Sequence, residues 1–445
     1  MNHKAYLGLA IPLTISTITT PLLGAVDTAV VGQLPDPSYI GAVAIGTIIF
    51  NTMYWLFGFL RVSTSGYAAQ AQGANNEVQG IIALTRPSLI AAFVGVCLII
   101  LQWPILHGFL PLLSQDADVQ TYASDYFGIR IWGAPFALLN YVILGWLMGM
   151  SMIKISLLLQ VFMNCINITL DLLFVNVFSL GVSGVAAATL IAEAAAFIIG
   201  VIIVLKVSAF KLKFPSLKVI IDPVSFRKMM SVNRDLFIRT LCLLIVFNLF
   251  TGMGASFGTE ILAANAILIQ IHYIMAYFFD GFSNASSILT GKAIGSNDEK
   301  LYHKTLKLSI QWAVFSSIIL SGSFHFFGDY FLLFFTKIPI VIELANTYGQ
   351  WIVLFPLTAS LGIVLYGVFT GATEAVPIRN SMVLALIVFV IAQFTLVPAI
   401  GNHGLWLAFI IFSFGRSIFL VMFVPSLTRK LFLKKEYSQN NIEVC

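Results

Sequence analysis

Charge is scarce in this chain: Asp, Glu, Lys and Arg make up 10% of its 445 residues, whereas an ordinary soluble domain carries about 25%. That shortfall excludes a water-soluble globular enzyme, a disordered chain and a nucleic-acid binder with a basic face. Cysteine is scarce as well. Cys97, Cys165, Cys242 and Cys445 are too few and too scattered for a disulfide framework, and three of them lie inside apolar runs, where Cys packs as a small hydrophobe. No G-x-x-x-x-G-K-[ST] run is available to cradle a nucleotide's phosphates, since Gly291-Lys292 is followed by Ala293 and no glycine stands five residues before Gly291. Neither H-E-x-x-H nor a paired C-x-x-C suggests a metal. What is there is apolar: 59% of the residues are hydrophobic. This is the composition of an integral membrane protein.

A helix crossing the hydrocarbon needs roughly 20 mostly apolar residues. Twelve such stretches are predicted, over residues 7–34, 40–60, 82–106, 120–150, 153–178, 181–207, 234–257, 260–290, 305–328, 340–372, 380–400 and 403–428. The second and eighth are expected to continue into the polar segments that follow them. Met1-Asn2-His3-Lys4 opens into a run too long for a cleaved signal, with Asp27 inside it and no small-residue cleavage site. An even number of spans puts both termini on one side. Twenty of the 24 Lys and Arg residues fall on that side, only Lys337 lies in the opposite loops, and Arg130, Arg239 and Arg416 sit within spans. The positive-inside bias therefore makes both termini cytoplasmic.

The chain also repeats itself. Slid along itself by half its length, it brings Ala42, Ala44 and Ile45 onto Ala264, Ala266 and Ile267, and Ala71-Gln72-Gly73-Ala74-Asn75 onto Ala293-Ile294-Gly295-Ser296-Asn297. The same offset brings Tyr126, Gly145 and Gly149 onto Tyr348, Gly367 and Gly371. Slipped by two positions, it brings Gly181 and Gly184 onto Gly401 and Gly404. Two lobes of six helices follow, alike in topology and related about an axis along the membrane normal. The expected boundaries are a first lobe over 1–207, a polar linker over 208–233 holding Pro215 and Pro223, a second lobe over 234–428 and a basic tail over 429–445. Such a pair of bundles allows alternating access. Without a nucleotide site or a soluble domain to hold one, an ion gradient is the remaining energy source, and no cofactor is expected.

An intramembrane hydrolase has one motif in its favour. Gly254-Ala255-Ser256-Phe257-Gly258 fits G-x-S-x-G, with His272 on the next span. The nucleophile elbow needs a strand-to-helix turn, however, and none is expected here. Ser256 lies about three residues from the turn between the spans and His272 about thirteen, a depth difference of roughly 15 Å. They could meet only if the eighth span were broken.

Carboxylates at bilayer depth are costly and usually face a bundle interior or a wet cavity. The chain has four: Asp27 in the first span, Asp171 in the fifth, Glu193 in the sixth and Asp280 in the eighth. Three belong to the first lobe, an asymmetry that a duplicated scaffold does not require. Glu193 and Asp280 read more readily as structural groups. Spans 5 and 6 form a hairpin turning near Leu180, which brings Asp171 and Thr189 to the same depth, about 13 Å from the turn. Asn167 stacks one turn beneath Asp171 on the same face. Asp27, seven residues from Leu34, has a comparable depth. Asp27, Asn167, Asp171 and Thr189 can thus form one cluster. Withdrawal from water displaces a carboxyl group's titration from about 3.9 by as much as 3–5 units, which brings proton gradients into play. The same oxygens also suit Na⁺, a hard cation, so both ions stay open. Pro21 removes a backbone donor six residues before Asp27 and makes a bend in the first span, a natural hinge.

The run Pro21-Leu22-Leu23-Gly24-Ala25-Val26-Asp27-Thr28-Ala29-Val30-Val31-Gly32, the segment Gly66-Tyr67-Ala68-Ala69-Gln70-Ala71-Gln72-Gly73-Ala74 and the stretch Gly181-Val182-Ser183-Gly184-Val185-Ala186-Ala187-Ala188-Thr189 resemble the MATE (multidrug and toxic compound extrusion) transporters, in particular their bacterial DinF-type branch. The resemblance covers all twelve spans. It implies an all-α, V-shaped pair of six-helix bundles in the bacterial cytoplasmic membrane, exporting cationic or amphipathic compounds in exchange for H⁺ or Na⁺. It also implies that Asp27 is the first-lobe acid, with Asn167, Asp171 and Thr189 as its partners. NorM-type members resemble each other in having acids in spans 7 and 10 that form a second-lobe cation site. Here the acid of span 10 is Glu343, at its outer end and away from mid-span, with Glu374 lying just past its other end, which favours protons.

The mechanism expected is antiport. A proton reaching Asp27, by way of Asp171, weakens its hold on a bound cation and favours bending at Pro21. Met53, Tyr54, Met148 and Met163 are the candidate substrate contacts, because adaptable apolar side chains suit varied ligands. A flippase for lipid-linked oligosaccharides, of related architecture, is the main rival, but its pyrophosphate cargo calls for a more cationic cavity than three embedded arginines supply. A channel is a further rival, against which the asymmetric acid cluster weighs only weakly. No span carries a strong Gly-xxx-Gly seam, so a monomer in the lipid bilayer is expected.

Overall fold

The computed structural model describes residues 2–31, 37–113, 116–207 and 215–433, without the side chains of 19–29, 31, 37, 112, 217 and 433. Among the described residues the chain is helical and has no strand. The helices are α1 (His3–Val31), α2 (Pro37–Phe57), α3 (Phe59–Gly73), α4 (Glu77–Ile100), α5 (Gln102–Leu113), α6 (Ala117–Arg130), α7 (Ala134–Gly149), α8 (Ile153–Leu172), α9 (Gly181–Val207), α10 (Leu217–Ile220), α11 (Pro223–Ala255), α12 (Thr259–Gly295), α13 (Glu299–Phe335), α14 (Pro339–Gly371), α15 (Ala375–Ile400), α16 (Asn402–Met422) and α17 (Val424–Thr428). A 3₁₀ turn at Ile131–Gly133 joins α6 to α7, and a π-helical turn at Leu173–Val177 closes α8.

Eleven of these runs are long and apolar enough to cross a membrane among the described residues, and α1, with 29 residues, has the length for a twelfth. The polar ends follow the expectation: the second span continues through α3 to Gly73, and the eighth runs unbroken to Gly295. One boundary differs. Residues 223–233, expected in the linker, are the first three turns of α11. Pro223 suits the first helical position, and the Asp222 carboxylate accepts the Ser225 N–H at 2.9 Å. The Ser225 hydroxyl and N–H hold that carboxyl group below its ordinary titration range.

Packing divides the chain into two compact units, Ile18–Met229 and Met1–Thr17 with Met230–Cys445. The division falls inside α1. The part of that helix up to Thr17, which chain order assigns to the first lobe, packs on α12. The Tyr6 hydroxyl shares a hydrogen bond with Ser286 at 2.8 Å, and the Thr17 hydroxyl donates to the Tyr277 carbonyl at 2.8 Å. Small polar side chains make this possible, because they let two helix backbones approach closely.

Within the units the repeat extends to the turns. Asn75 and Asn297, matched by the half-length offset, take left-handed φ of 49° and 54°, and Ser151 and Thr373, matched by the same offset, take 62° and 55°. The Asn76 N–H donates to the Ala71 carbonyl as the Asp298 N–H does to Ala293, and the Met152 N–H donates to Leu147 as the Glu374 N–H does to Phe369. Asn76 caps α4 through the Gln79 N–H, and Asp298 caps α13 through the Leu301 N–H. Closest approaches repeat too. A side chain at Gly145 or Gly149 would strike the carbonyls of Arg61 and Ser65, and one at Gly367 or Gly371 would strike those of Ser283 and Ser287. Each half therefore builds its α3–α7 or α12–α14 crossing around the same two glycines.

Candidate coupling site and its surroundings

In the unit Ile18–Met229, α8 and α9 form the hairpin that the sequence predicts. Asp171 and Asn167 share one face of α8, Asp171 fully buried and Asn167 1% exposed; Thr189, on α9, is 3% exposed. The Asn167 amide donates to the Thr189 hydroxyl at 3.2 Å, and that hydroxyl donates to the Val185 carbonyl at 3.1 Å. The other end of the Asn167 side chain, its carbonyl oxygen, accepts no hydrogen bond among the described residues. The π-helical turn begins two residues after Asp171, at Leu173. Turns of this kind are frequent at functional sites. Three of the four predicted cluster members thus come together. Asp27, the fourth, and Pro21 lie on α1 among the side chains outside the described residues.

A second polar layer lies deeper in the same unit. The Arg130 guanidinium donates to the Tyr126 hydroxyl at 2.6 Å and stands 4.7 Å over the Phe50 ring. Glu193 is 8% exposed. Its carboxylate lies against Gly133, where a methyl group would come within 2.6 Å of Oε2, and its backbone carbonyl accepts from Asn140 at 2.8 Å. Tyr54 has Glu193 and Arg130 as electrostatic neighbours, and Tyr141 has Arg61, Glu193 and Arg130.

The predicted substrate contacts do not gather around Asp171. Tyr54, 6% exposed, belongs to the deeper layer, and Met53, the residue before it, is 8% exposed. Met148 is buried one residue from the end of α7, where the Arg61 guanidinium donates to its sulfur at 3.3 Å. Met163, half-buried, packs against the core formed by Trp146, Leu147 and Leu159.

In the other unit, the Asn265 and Asn402 amides exchange hydrogen bonds at 2.8 and 3.0 Å, and the Trp406 indole donates to Asn265 at 2.8 Å. His272 is buried among the rings of Phe355 (4.1 Å), Phe409 (5.0 Å), Tyr273 (5.5 Å) and Phe247 (5.6 Å). Ser256 is exposed and its hydroxyl donates to the Met253 carbonyl at 2.6 Å. Because α12 is continuous through His272, the condition under which the two could meet is not fulfilled. Glu374 is held by Lys430 at 2.6 Å. Asp235, 1% exposed, pairs with Arg379 at 2.9 Å and Arg234 at 3.0 Å. The sequence reading passed over the Asn265 knot and the Asp235 pair. An amide or acid inside an otherwise apolar run was the available signal, and it drew attention to the mid-span carboxylates and the polar groups at their depth alone.

Two repeated helical units with polar groups buried in their spans define a membrane transporter. The MatE family model matches residues 12–173 and 236–397, one stretch in each half. The chain is 35% identical to DNA damage-inducible protein F of Escherichia coli over 421 residues, 94% of this chain and 91% of the relative. It is 26% identical to a probable multidrug resistance protein NorM of Agrobacterium fabrum, covering 97% and 95% of the two. Among solved structures, a MATE protein in a bent conformation superimposes with a TM-score of 0.87 over 98% of this chain and 97% of that one, at 19% identity. A MATE protein in a straight conformation gives 0.84 over 96% and 97%, at 20% identity. The chain belongs to the MatE family.

Proposed function

We propose that this transporter exports cationic or amphipathic organic compounds across the cytoplasmic membrane in exchange for inward protons, loaded at Asp27, Asn167, Asp171 and Thr189. The relatives named as multidrug resistance proteins support the substrate class. The observation that carries the coupling reading is the full burial of Asp171 one turn above Asn167, which is itself bonded to Thr189 on the facing helix. A carboxyl group kept inside a span is expensive, and transport is the usual reason for keeping it. Taking up a proton removes its charge and reorganises its hydrogen bonds, so the ion has unequal affinity for two states. Pro21 supplies the hinge in this scheme. It stands four residues beyond Thr17, where α1 leaves one compact unit for the other. No cofactor enters, and Na⁺ at the same oxygens is the alternative coupling ion.

Purified protein in liposomes, loaded with ethidium and given either an imposed pH difference or an imposed Na⁺ difference, tests the proposal. Efflux driven by the pH difference, and abolished in Asp27→Asn, is the expected result. Efflux driven by Na⁺ alone replaces the proton with Na⁺. Undiminished pH-driven efflux by Asp27→Asn removes Asp27 from the mechanism.

A further inference from the structure

The coupling scheme gives no task to Arg239 and Arg416, the embedded arginines of the second half. Both lie in the unit that contains α11 to α16. Arg239 stands some four turns before the end of α11 at Ala255, and Arg416 some four turns after the start of α16 at Asn402. These ends open on the same side of the bundle, so the two side chains sit at matching depth, roughly 21–24 Å along their helices. The Arg239 guanidinium lies 4.0 Å over the ring of Tyr366, on α14. Arg416 interacts electrostatically with Arg239 and with Asp280 on α12, and Tyr366 interacts with the same Arg239 and Asp280. Four helices therefore bring together two guanidiniums, one carboxylate and one phenol. Both arginines are half-buried, with part of their surface accessible.

Duplication does not account for this set. The half-length offset puts Thr17, Gly58 and Leu144 at the positions of Arg239, Asp280 and Tyr366, and the two-position slip that brings Gly181 onto Gly401 puts Ala196 at that of Arg416. The fold is built in the other half without any of these charges, so scaffolding does not require them. Arginine inside a span is kept at a cost. Its planar fork matches the oxygens of a carboxylate, sulfonate or phosphate, and it stays charged at any physiological pH.

We propose that Arg239 and Arg416 form a binding site for the anionic head group of an amphiphile, a carboxylate, sulfonate or phosphate carrying one net negative charge. Two positive charges face one negative charge from Asp280, so the site is short of one anion. Tyr366 holds the Arg239 guanidinium over its ring, which limits where its fork can reach. Asp280 repels a second negative charge, which sets the preference for singly charged heads. Tyr277, three residues before Asp280 and on its face of α12, offers apolar surface for the start of the tail.

Full-length protein in phosphatidylcholine nanodiscs, titrated with dansylated undecanoic acid and with its methyl ester, tests the site in the absence of any gradient. The acid is expected to bind saturably and at least ten-fold more tightly than the ester. Arg239→Gln and Arg416→Gln are each expected to weaken the acid ten-fold or more while the ester binds as before. Arg416→Lys, which keeps the charge and loses the fork, falls between. Asp280→Asn strengthens binding of the acid. Adding phosphatidylglycerol to the discs separates the sources: displacement of the probe makes a membrane lipid the natural occupant, and its retention makes the occupant a transported amphiphile. Equal binding of acid and ester, or glutamine variants that bind the acid like the parent protein, overturns the proposal. If a glutamine variant loses the ester as well, its fold has failed and Arg416→Lys decides.

Discussion

The side-chain amide of Asn167 donates to the hydroxyl of Thr189 across 3.2 Å, joining α8 to α9 one turn beneath the buried carboxyl group of Asp171. The bond fixes the spacing of the hairpin one turn from that carboxyl group. It also ties the Asn167 side chain to a hydroxyl whose own proton is committed to the Val185 carbonyl.

Thr189→Val keeps the shape of the side chain and removes the acceptor, leaving the Asn167 amide buried without it, a penalty of about 1–3 kcal/mol. Gradient-driven efflux of ethidium is expected to fall several-fold at unchanged protein yield, with Thr189→Ser retaining most of the activity. Liposome assays on both variants measure this. Parental rates from the valine variant would detach the pair from transport.

Asp171→Asn replaces a titratable group with a neutral one of the same size. If Asp171 passes protons to Asp27, pH-driven efflux drops ten-fold or more, equivalent to about 1.4 kcal/mol or more in the barrier. The residual rate loses its dependence on external pH. A pH series on proteoliposomes shows the difference, because a purely structural Asp171 would lower the amount of folded carrier and leave the shape of the profile intact.

Much of this was legible in the chain itself. The spans follow from hydropathy, and the sixth begins and ends at the residues expected, Gly181 and Val207. The α8–α9 hairpin that carries Thr189 beside this face of α8 follows from counting residues on either side of a turn, since a helical hairpin equates position with depth, although the bond falls on Asn167, one turn from Asp171. Contacts between distant segments left no such trace. Tyr6 meets Ser286 across 280 residues, and Asn265 meets Asn402 across 137. Each of these depends on which faces pack, which composition and periodicity do not specify in helices apolar all round. The extension of α11 to Pro223 was missed for a local reason: polar residues ahead of the apolar run read as a linker although they continue the helix.

The repeated glycines give a stability test. In Gly149→Ala or Gly371→Ala the added methyl group meets the backbone carbonyl of Ser65 or Ser287, which can yield only by moving a helix. Overpacking of this kind costs about 1–3 kcal/mol. Nothing stands within 4 Å of a methyl group at Gly252, so Gly252→Ala is neutral or slightly stabilising by the loss of unfolded-chain entropy. Melting in detergent, followed by size-exclusion recovery after heating, should rank both crossing variants well below Gly252→Ala. Equal melting temperatures would mean that the crossings are looser than their geometry.

Asn265 is the hub of the polar knot in the second half of the chain: one side chain both gives to and takes from Asn402 while its oxygen also receives the Trp406 indole. All three residues are buried, so removing the hub strands two partners at once. Asn265→Ala is expected to destabilise the protein by about 2–4 kcal/mol, combining the two unpaired groups with a small cavity. Asn265→Leu fills the volume and still loses the bonds, so the difference between the two variants isolates the cavity from the polar loss. The Trp406 neighbours Phe250 and Phe409, at 4.9 and 6.0 Å, keep the indole in place and make its fluorescence the natural reporter. A red shift in emission and a lowered melting point in both variants are the expected results. A leucine variant as stable as the parent would show that the knot sets the pairing of α12 with α16 without contributing to its strength.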